Sequence, residues 1–245
     1  MDSYESPNQE EKKVSIFHGQ TFLEDMNKNW VSWHLDYYSL LSGTWPKHPD
    51  VDLLLPYLED SAKKIRSQFY HKYYGDHNPR QLWLGINPGR LGAGITGIAF
   101  SDPLCLEQYC NIENPWDKKQ ELSAQFIFQC INAFGGPDIF YRKVYIDAIC
   151  PIGLIHQQKN FNYYDDKSYY EWIRPKIKAH LRELFSQNIW EEVIIIGKGK
   201  NEKFFQQLTG GKIPYQSLPH PRWIMQYNRK EMHAWVEKYL GLING

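Results

Sequence analysis

Residues 82–100 read Leu82-Trp-Leu-Gly-Ile-Asn87-Pro-Gly-Arg-Leu-Gly-Ala-Gly-Ile-Thr-Gly-Ile-Ala-Phe100. A short apolar run, 82–86, stops abruptly at Asn87-Pro88-Gly89, the pattern of a buried strand running into a tight turn. Gly89, Gly92, Gly94 and Gly97 follow, so the backbone here can approach another group closely. In an open α/β sheet such a loop lies at the carboxyl end of a strand, where ligands bind. A plain strand-to-loop connection would use glycines too, so the loop alone decides nothing.

Working outward, residues 21–38 carry Phe22, Met26, Trp30, Trp33 and Tyr37 at helical spacing, and residues 56–74 predict a second helix ended near Gly75. Residues 103–116 read as an irregular loop, and 118–134 as an amphipathic helix stopped by Gly135-Gly136-Pro137. Strands are expected over 144–149, 192–196 and 215–218, and helices over 169–185 (with Pro175 inside the pattern), from 200 to 208, and over 228–240. Strands alternating with helices of this length predict a three-layer α/β/α fold around a central, mainly parallel four-stranded sheet. Residues 1–13 are polar and aperiodic and are expected to be a disordered tail. Residues 14–245 are expected to form a single domain, since no composition break divides them.

The chain has zero formal net charge, which does not suggest a nucleic-acid binder taken as a whole. The distribution is uneven: residues 197–230 carry Lys198, Lys200, Lys203, Lys212, Arg222, Arg229 and Lys230 against Glu202 alone. No apolar run approaches the roughly 20 residues of a membrane span, and the polar, acidic start does not read as a signal peptide. A soluble, cytoplasmic protein is expected.

Gly85-x-Asn87-Pro88-Gly89, Gly92, Thr96-Gly97 and Phe100 resemble, without a gap, the first motif of the single-strand-selective monofunctional (SMUG-type) uracil-DNA glycosylases. Residues 144–151 (Val-Tyr-Ile-Asp-Ala-Ile-Cys-Pro) are similar to the segment with which that family reads the base. Ile194-Ile195-Ile196-Gly197-x-Gly199 is similar to its third strand and turn, and Leu218-Pro219-His220-Pro221 to its second catalytic motif. The resemblance implies Asn87 and His220 as the catalytic pair, on strand ends that converge at one edge of the sheet. It further implies a base site made by Ile86, Gly89, Phe100, Asp147 and Ala148, with Phe100 as the floor and Gly89 leaving room beside the base. An amide can orient a water but cannot take its proton. Asn87 stands where other uracil-DNA glycosylases have Asp, so slower chemistry is expected. No Lys occupies the loop as an amine nucleophile, and strand cleavage through a Schiff base is not expected.

Two departures from the family pattern matter. Gap-free alignment on Cys150-Pro151 puts Ala148 where the family has a base-reading Asn, with Asp147 beside it. Arg222-Trp223-Ile224-Met225 follows Pro221 directly and is expected to form a wedge that fills the hole left by a flipped base. Lys198 and Lys200 are expected to contact phosphate at a helix N-terminus. Cys105, Cys110, Cys130 and Cys150 lack a C-x-x-C pair, so buried free thiols are expected rather than an iron–sulfur cluster; no metal or cofactor is expected. The function implied is a monofunctional, monomeric DNA glycosylase acting on DNA that contains uracil or other deaminated bases such as xanthine or hypoxanthine. Rival readings are a non-catalytic damaged-base or single-stranded DNA binder, and a nucleotide enzyme using Gly197-Lys198-Gly199 as a phosphate loop. The last lacks the G-x-x-x-x-G-K-[ST] spacing.

Overall fold

The computed structural model describes residues 30–76 and 78–243; the expected tail over 1–13 and the start of the helix over 21–38 lie outside them. The chain enters as α1 (Trp30–Gly43), then β1 (Asp52–Leu54), a 3-10 turn at Pro56–Leu58, and α2 (Asp60–Tyr74). Next come β2 (Arg80–Gly85), the single turn α3 (Ala93–Thr96), α4 (Pro103–Cys110), α5 (Leu122–Ala133) and α6 (Pro137–Phe140). The second half holds β3 (Val144–Ala148), β4 (Gly153–His156), β5 (Lys159–Phe161), α7 (Lys167–Ser186) and β6 (Trp190–Ile196). It closes with α8 (Lys200–Thr209), β7 (Gln216–Leu218), α9 (Pro221–Tyr227) and α10 (Met232–Gly241).

Among the described residues, β3, β2, β6 and β7 lie in that order in one parallel sheet. Every residue of β2 and β3 is buried, as expected for strands covered on both faces. On one face Tyr145 packs edge-on against Trp30 of α1, and Tyr74 of α2 donates a hydrogen bond to the Val144 carbonyl at 3.2 Å. On the other, Trp83 meets Tyr239 of α10 and Phe140 of α6. Successive strand residues point to opposite faces, and the contacts of Tyr145 and Trp83 identify the layers.

The expected three-layer fold is therefore present, with local corrections. The segment expected as an irregular loop contains α4. Its start is capped by Asp102, whose carboxylate accepts from the Cys105 amide at 2.8 Å, with Pro103 in the first turn. Eight residues are too few to show a clear apolar period. The helix expected from Pro56 is divided, and α2 proper starts at Asp60. The helix expected from 118 begins at Leu122, and the one over 169–185 begins earlier, capped by Asp166, and runs through Pro175. The last helix begins at Met232, with α9 formed separately before it. A second, antiparallel sheet in the order β1-β4-β5 had no sequence signal. Its β4–β5 hairpin turns at Gln157 and Gln158, both with positive φ (47° and 61°). Such turns ordinarily announce themselves with Asn-Gly or Asp-Gly.

Candidate active site

The strand ends are level with one another. Gly85 pairs with Ala148, Leu84 with Ile195 and Ile196 with Leu218, so the residues that follow each strand emerge at one edge. The Ile149 and Cys150 amides bond to the Gly85 and Ile86 carbonyls, and the Gly197 amide to Leu218. Over this edge lies a cleft of about 530 Å³ that includes Ile86, Asn87, Gly89, Phe100, Asp147, Ala148 and His220 in its lining.

Asn87 is oriented from the hairpin side. Its Nδ2 donates to the Phe161 carbonyl at 3.1 Å, and its Oδ1 accepts from the Tyr163 amide at 3.3 Å. Tyr163 in turn donates from its hydroxyl to Asn201, which bonds the Gly85 and Ile196 carbonyls. Each polar atom of the Asn87 amide keeps capacity for one further partner. Tyr163 and Asn201 carried no recognisable signal in the sequence, because their roles exist only across the fold.

Phe100, expected as a floor for the base, lines the cleft. Its backbone sits in the left-handed region (φ 50°), which is unfavourable for a residue with a Cβ by roughly 1–2 kcal/mol, and this turns the ring over Gly85. A Cβ at Gly85 would come within 2.7 Å of that ring and displace it, so glycine lets the ring lie there. The His220 ring lies 5.9 Å from the Phe100 ring between centroids. His220 caps α9: its Nδ1 accepts from the Arg222 amide at 3.1 Å, which assigns the proton of the neutral ring to Nε2. Burial, and then the Arg222 charge, push the ring down to about 4. A neutral imidazole with its donor on Nε2 thus lines the cleft. Pro219, just before it, is held by the hydroxyl of Tyr239.

At the β3 end the pleat separates two neighbours. Ala148 shares the face of Gly85, whereas Asp147 lies on the α1 face with its carboxylate reaching Tyr38 and Tyr145. The other Asp147 oxygen accepts from the Ala148 amide at 2.7 Å. Burial pushes this carboxyl up to about 6, against the opposing pull of Tyr38, Ala148 and Tyr145. The register from Val144 to Ala148 is unbroken, so no bulge shifts Asp147 to the Gly85 face; the cleft reaches it on the α1 side, where Tyr38, Tyr57 and Tyr70 also line it.

Residues 71–243 match the model of the uracil DNA glycosylase superfamily. The chain belongs to the uracil-DNA glycosylase superfamily. Among solved structures, the wild-type SMUG2 protein of Pedobacter heparinus superposes with a TM-score of 0.78 at 34% identity, covering 86% of this chain and 96% of that one. Comparison with curated proteins yields no match. The protein is a SMUG-type DNA glycosylase, a hydrolase of N-glycosyl bonds.

For this glycosylase the expected DNA-facing residues divide. Arg222 lines the cleft and Trp223 stays 44% exposed, its ring edge-on to Trp235 at 5.9 Å. Ile224 and Met225, expected in the wedge, are instead buried (0% and 5% exposed), because α9 is a helix that turns them into the core. Lys198 and Lys200 are exposed near the start of α8 and are not part of the cleft lining. The Gly199 amide there donates to Glu202 Oε2 at 3.1 Å, so the protein's own carboxylate occupies the position expected for a phosphate. Arg90 and Lys159 do line the cleft, brought there by the glycine loop and the β4–β5 hairpin. All four cysteines are buried free thiols. Among the described residues no helix is long and apolar enough to cross a membrane.

Glu121 is the largest omission of the sequence reading. It precedes α5, yet its side chain does not cap that helix; the carboxyl enters the cleft and lies over Gly89 and Gly92. The room left by Gly89 is thus filled from another segment. Burial, then the nearby Asp102, push this carboxyl up to about 7, opposed by Arg222.

Proposed function

We propose that the enzyme excises uracil and also deaminated purines, hypoxanthine or xanthine, from DNA, as a monofunctional monomer that initiates base excision repair. The observation that carries this reading is Ala148 at the β3 end, in the cleft lining and on the same sheet face as Gly85, at the position where the family pattern has an amide. Alanine has no polar group, so the two hydrogen bonds that Asn gives to uracil are missing, and the side chain is smaller. Asp147 does not substitute for it: both of its oxygens already accept from Tyr38, Tyr145 and the Ala148 amide.

In this reading the flipped base stacks on Phe100 and the C1′ side faces Asn87. The amide, held by the Phe161 carbonyl and the Tyr163 amide, orients a water without deprotonating it. That suits a reaction in which the base departs first and water captures an oxocarbenium-like sugar. Charge gathers on O2 of a departing uracil, where the Nε2–H of His220 stabilises it more than the ground state. Because the ring is neutral, it offers a hydrogen bond rather than a full charge. Arg90, Lys159 and Arg222 around the cleft meet the DNA phosphates. Thymine should be released poorly, since its C5 methyl points toward Gly89, where the Glu121 carboxyl lies.

The test is incubation with matched oligonucleotides carrying uracil, hypoxanthine, xanthine or thymine, followed by alkali. Release of uracil and at least one deaminated purine, with strand breaks only after alkali, is the expected result. Strict confinement to uracil overturns the base range, and breaks without alkali overturn the monofunctional assignment.

A further inference from the structure

The carboxyl of Glu121 is held in the cleft by its own backbone. The Glu121 amide donates to Asp102 Oδ2 at 2.8 Å, and its carbonyl accepts the Gln125 amide of α5. An acidic residue at this position ordinarily turns its side chain onto the helix amides. Glu121 does not, and a Cβ placed on Gly89 or Gly92 would lie 3.1 or 3.0 Å from its Cδ. Both glycines are needed so that this carboxyl can reach the cleft.

In the proposed function the lining groups orient a bound base: Phe100 lies under the ring, His220 takes the O2 side, the β3 end faces the O4 side, and Asn87 faces the sugar carbon. The remaining edge looks at Gly89 and therefore at Glu121. For uracil that edge is C5–C6, which offers nothing to a carboxyl. A purine joined through N9 presents its five-membered ring there, with N7 as an acceptor.

We propose that Glu121 acts as a protonated acid on N7 of a deaminated purine. This rests on the base range put forward above. The C1′–N9 bond breaks and its electron pair stays on the purine, while the Glu121 proton passes to N7, so the base leaves neutral. The water held by Asn87 bonds to C1′ through oxygen and gives its proton to solvent, from which Glu121 is reprotonated. The groups facing Glu121 are Asp102 at the α4 cap, Arg222 and His220 at the start of α9, and Arg90 and Lys159 across the cleft. Burial and Asp102 favour the acid form, which is present in part up to about pH 7.

The test is single-turnover excision of hypoxanthine, xanthine and uracil from single-stranded oligonucleotides by wild type and Glu121→Gln, from pH 5.5 to 8.5. A glutamine keeps the shape and an N–H but cannot transfer a proton. The purine-to-uracil rate ratio should fall about 10²-fold, the low end for a lost proton donor. Taking the ratio within one preparation cancels any loss of folded enzyme. On each purine, the advantage of wild type over Glu121→Gln should shrink as pH rises past about 7, whatever the ionisation of the substrate. If wild type releases a purine and Glu121→Gln keeps the same purine-to-uracil ratio, Glu121's role is overturned while the base range stands. If wild type releases no purine, both are overturned.

Discussion

Asn87 and His220 stand on strand ends, while Glu121, Lys159 and Arg222 reach the same cleft from a helix start, a hairpin and a short helix. The first pair is placed by ladder hydrogen bonds and by strands buried on both faces, so its spacing follows from the register of the sheet. The second group is placed by segments whose only common constraint is that they pack over the edge. Under the proposed function this is a division of labour: the strand-end pair Asn87 and His220 forms a rim that acts on the bond that breaks, while Ala148 at the β3 end and Glu121 discriminate among bases.

The largest expected effect lies in the rim. His220→Ala should slow single-turnover excision of uracil by about 10²–10³, the scale of losing one preorganised donor, and of a purine that leaves neutral through N7 by less. Asn87→Ala should slow it by about 10² through a misplaced water, with DNA affinity nearly unchanged. A loss confined to one base for Asn87→Ala, or a loss larger on purines than on uracil for His220→Ala, would break the division.

Changes at the β3 end should be smaller and selective. Ala148→Asn restores an amide on the Gly85 face and should shift the balance toward uracil over purines by about tenfold, the value of one or two polar contacts in a pocket. Excision from matched oligonucleotides measures it. Asp147→Asn should lower the melting temperature more than it changes that balance, because its carboxylate is committed to Tyr38, Tyr145 and the Ala148 amide. A large change of base range in Asp147→Asn with none in Ala148→Asn would show that Asp147 reads the base.

Trp223→Ala should reduce activity on base-paired uracil several-fold more than on single-stranded uracil, where no stack must be opened. Equal losses on both substrates, together with a lowered melting temperature, would assign Trp223 to packing on Trp235 instead. The smallest effect concerns acid stability. The His220 ring is held at about 4, below its ordinary ~6.5, so between these values the unfolded chain binds the extra proton. Stability is therefore intact above the ordinary value and declines as pH falls toward 4. His220→Gln should lose less melting temperature than wild type between pH 7 and 5.

The sequence by itself determined the parallel sheet and its reactive edge. Buried strands read as continuous apolar runs, and Asn87-Pro88-Gly89 and Pro219-His220-Pro221 end two of them where ligands bind in such sheets. These are local patterns, written in neighbouring residues. Only the tertiary structure decided what faces that edge. The Gln157-Gln158 turn adopts positive φ without glycine because the small sheet pairs around it, and this carries Phe161 and Tyr163 to Asn87. Met225 reads as an exposed wedge in a linear sequence, but a helical α9 turns it into the core. Glu121 sits between a polar stretch and an amphipathic helix, where an acid is ordinary. Its place over Gly89, some thirty residues earlier in the chain, exists only once Asp102 has tied the two segments together.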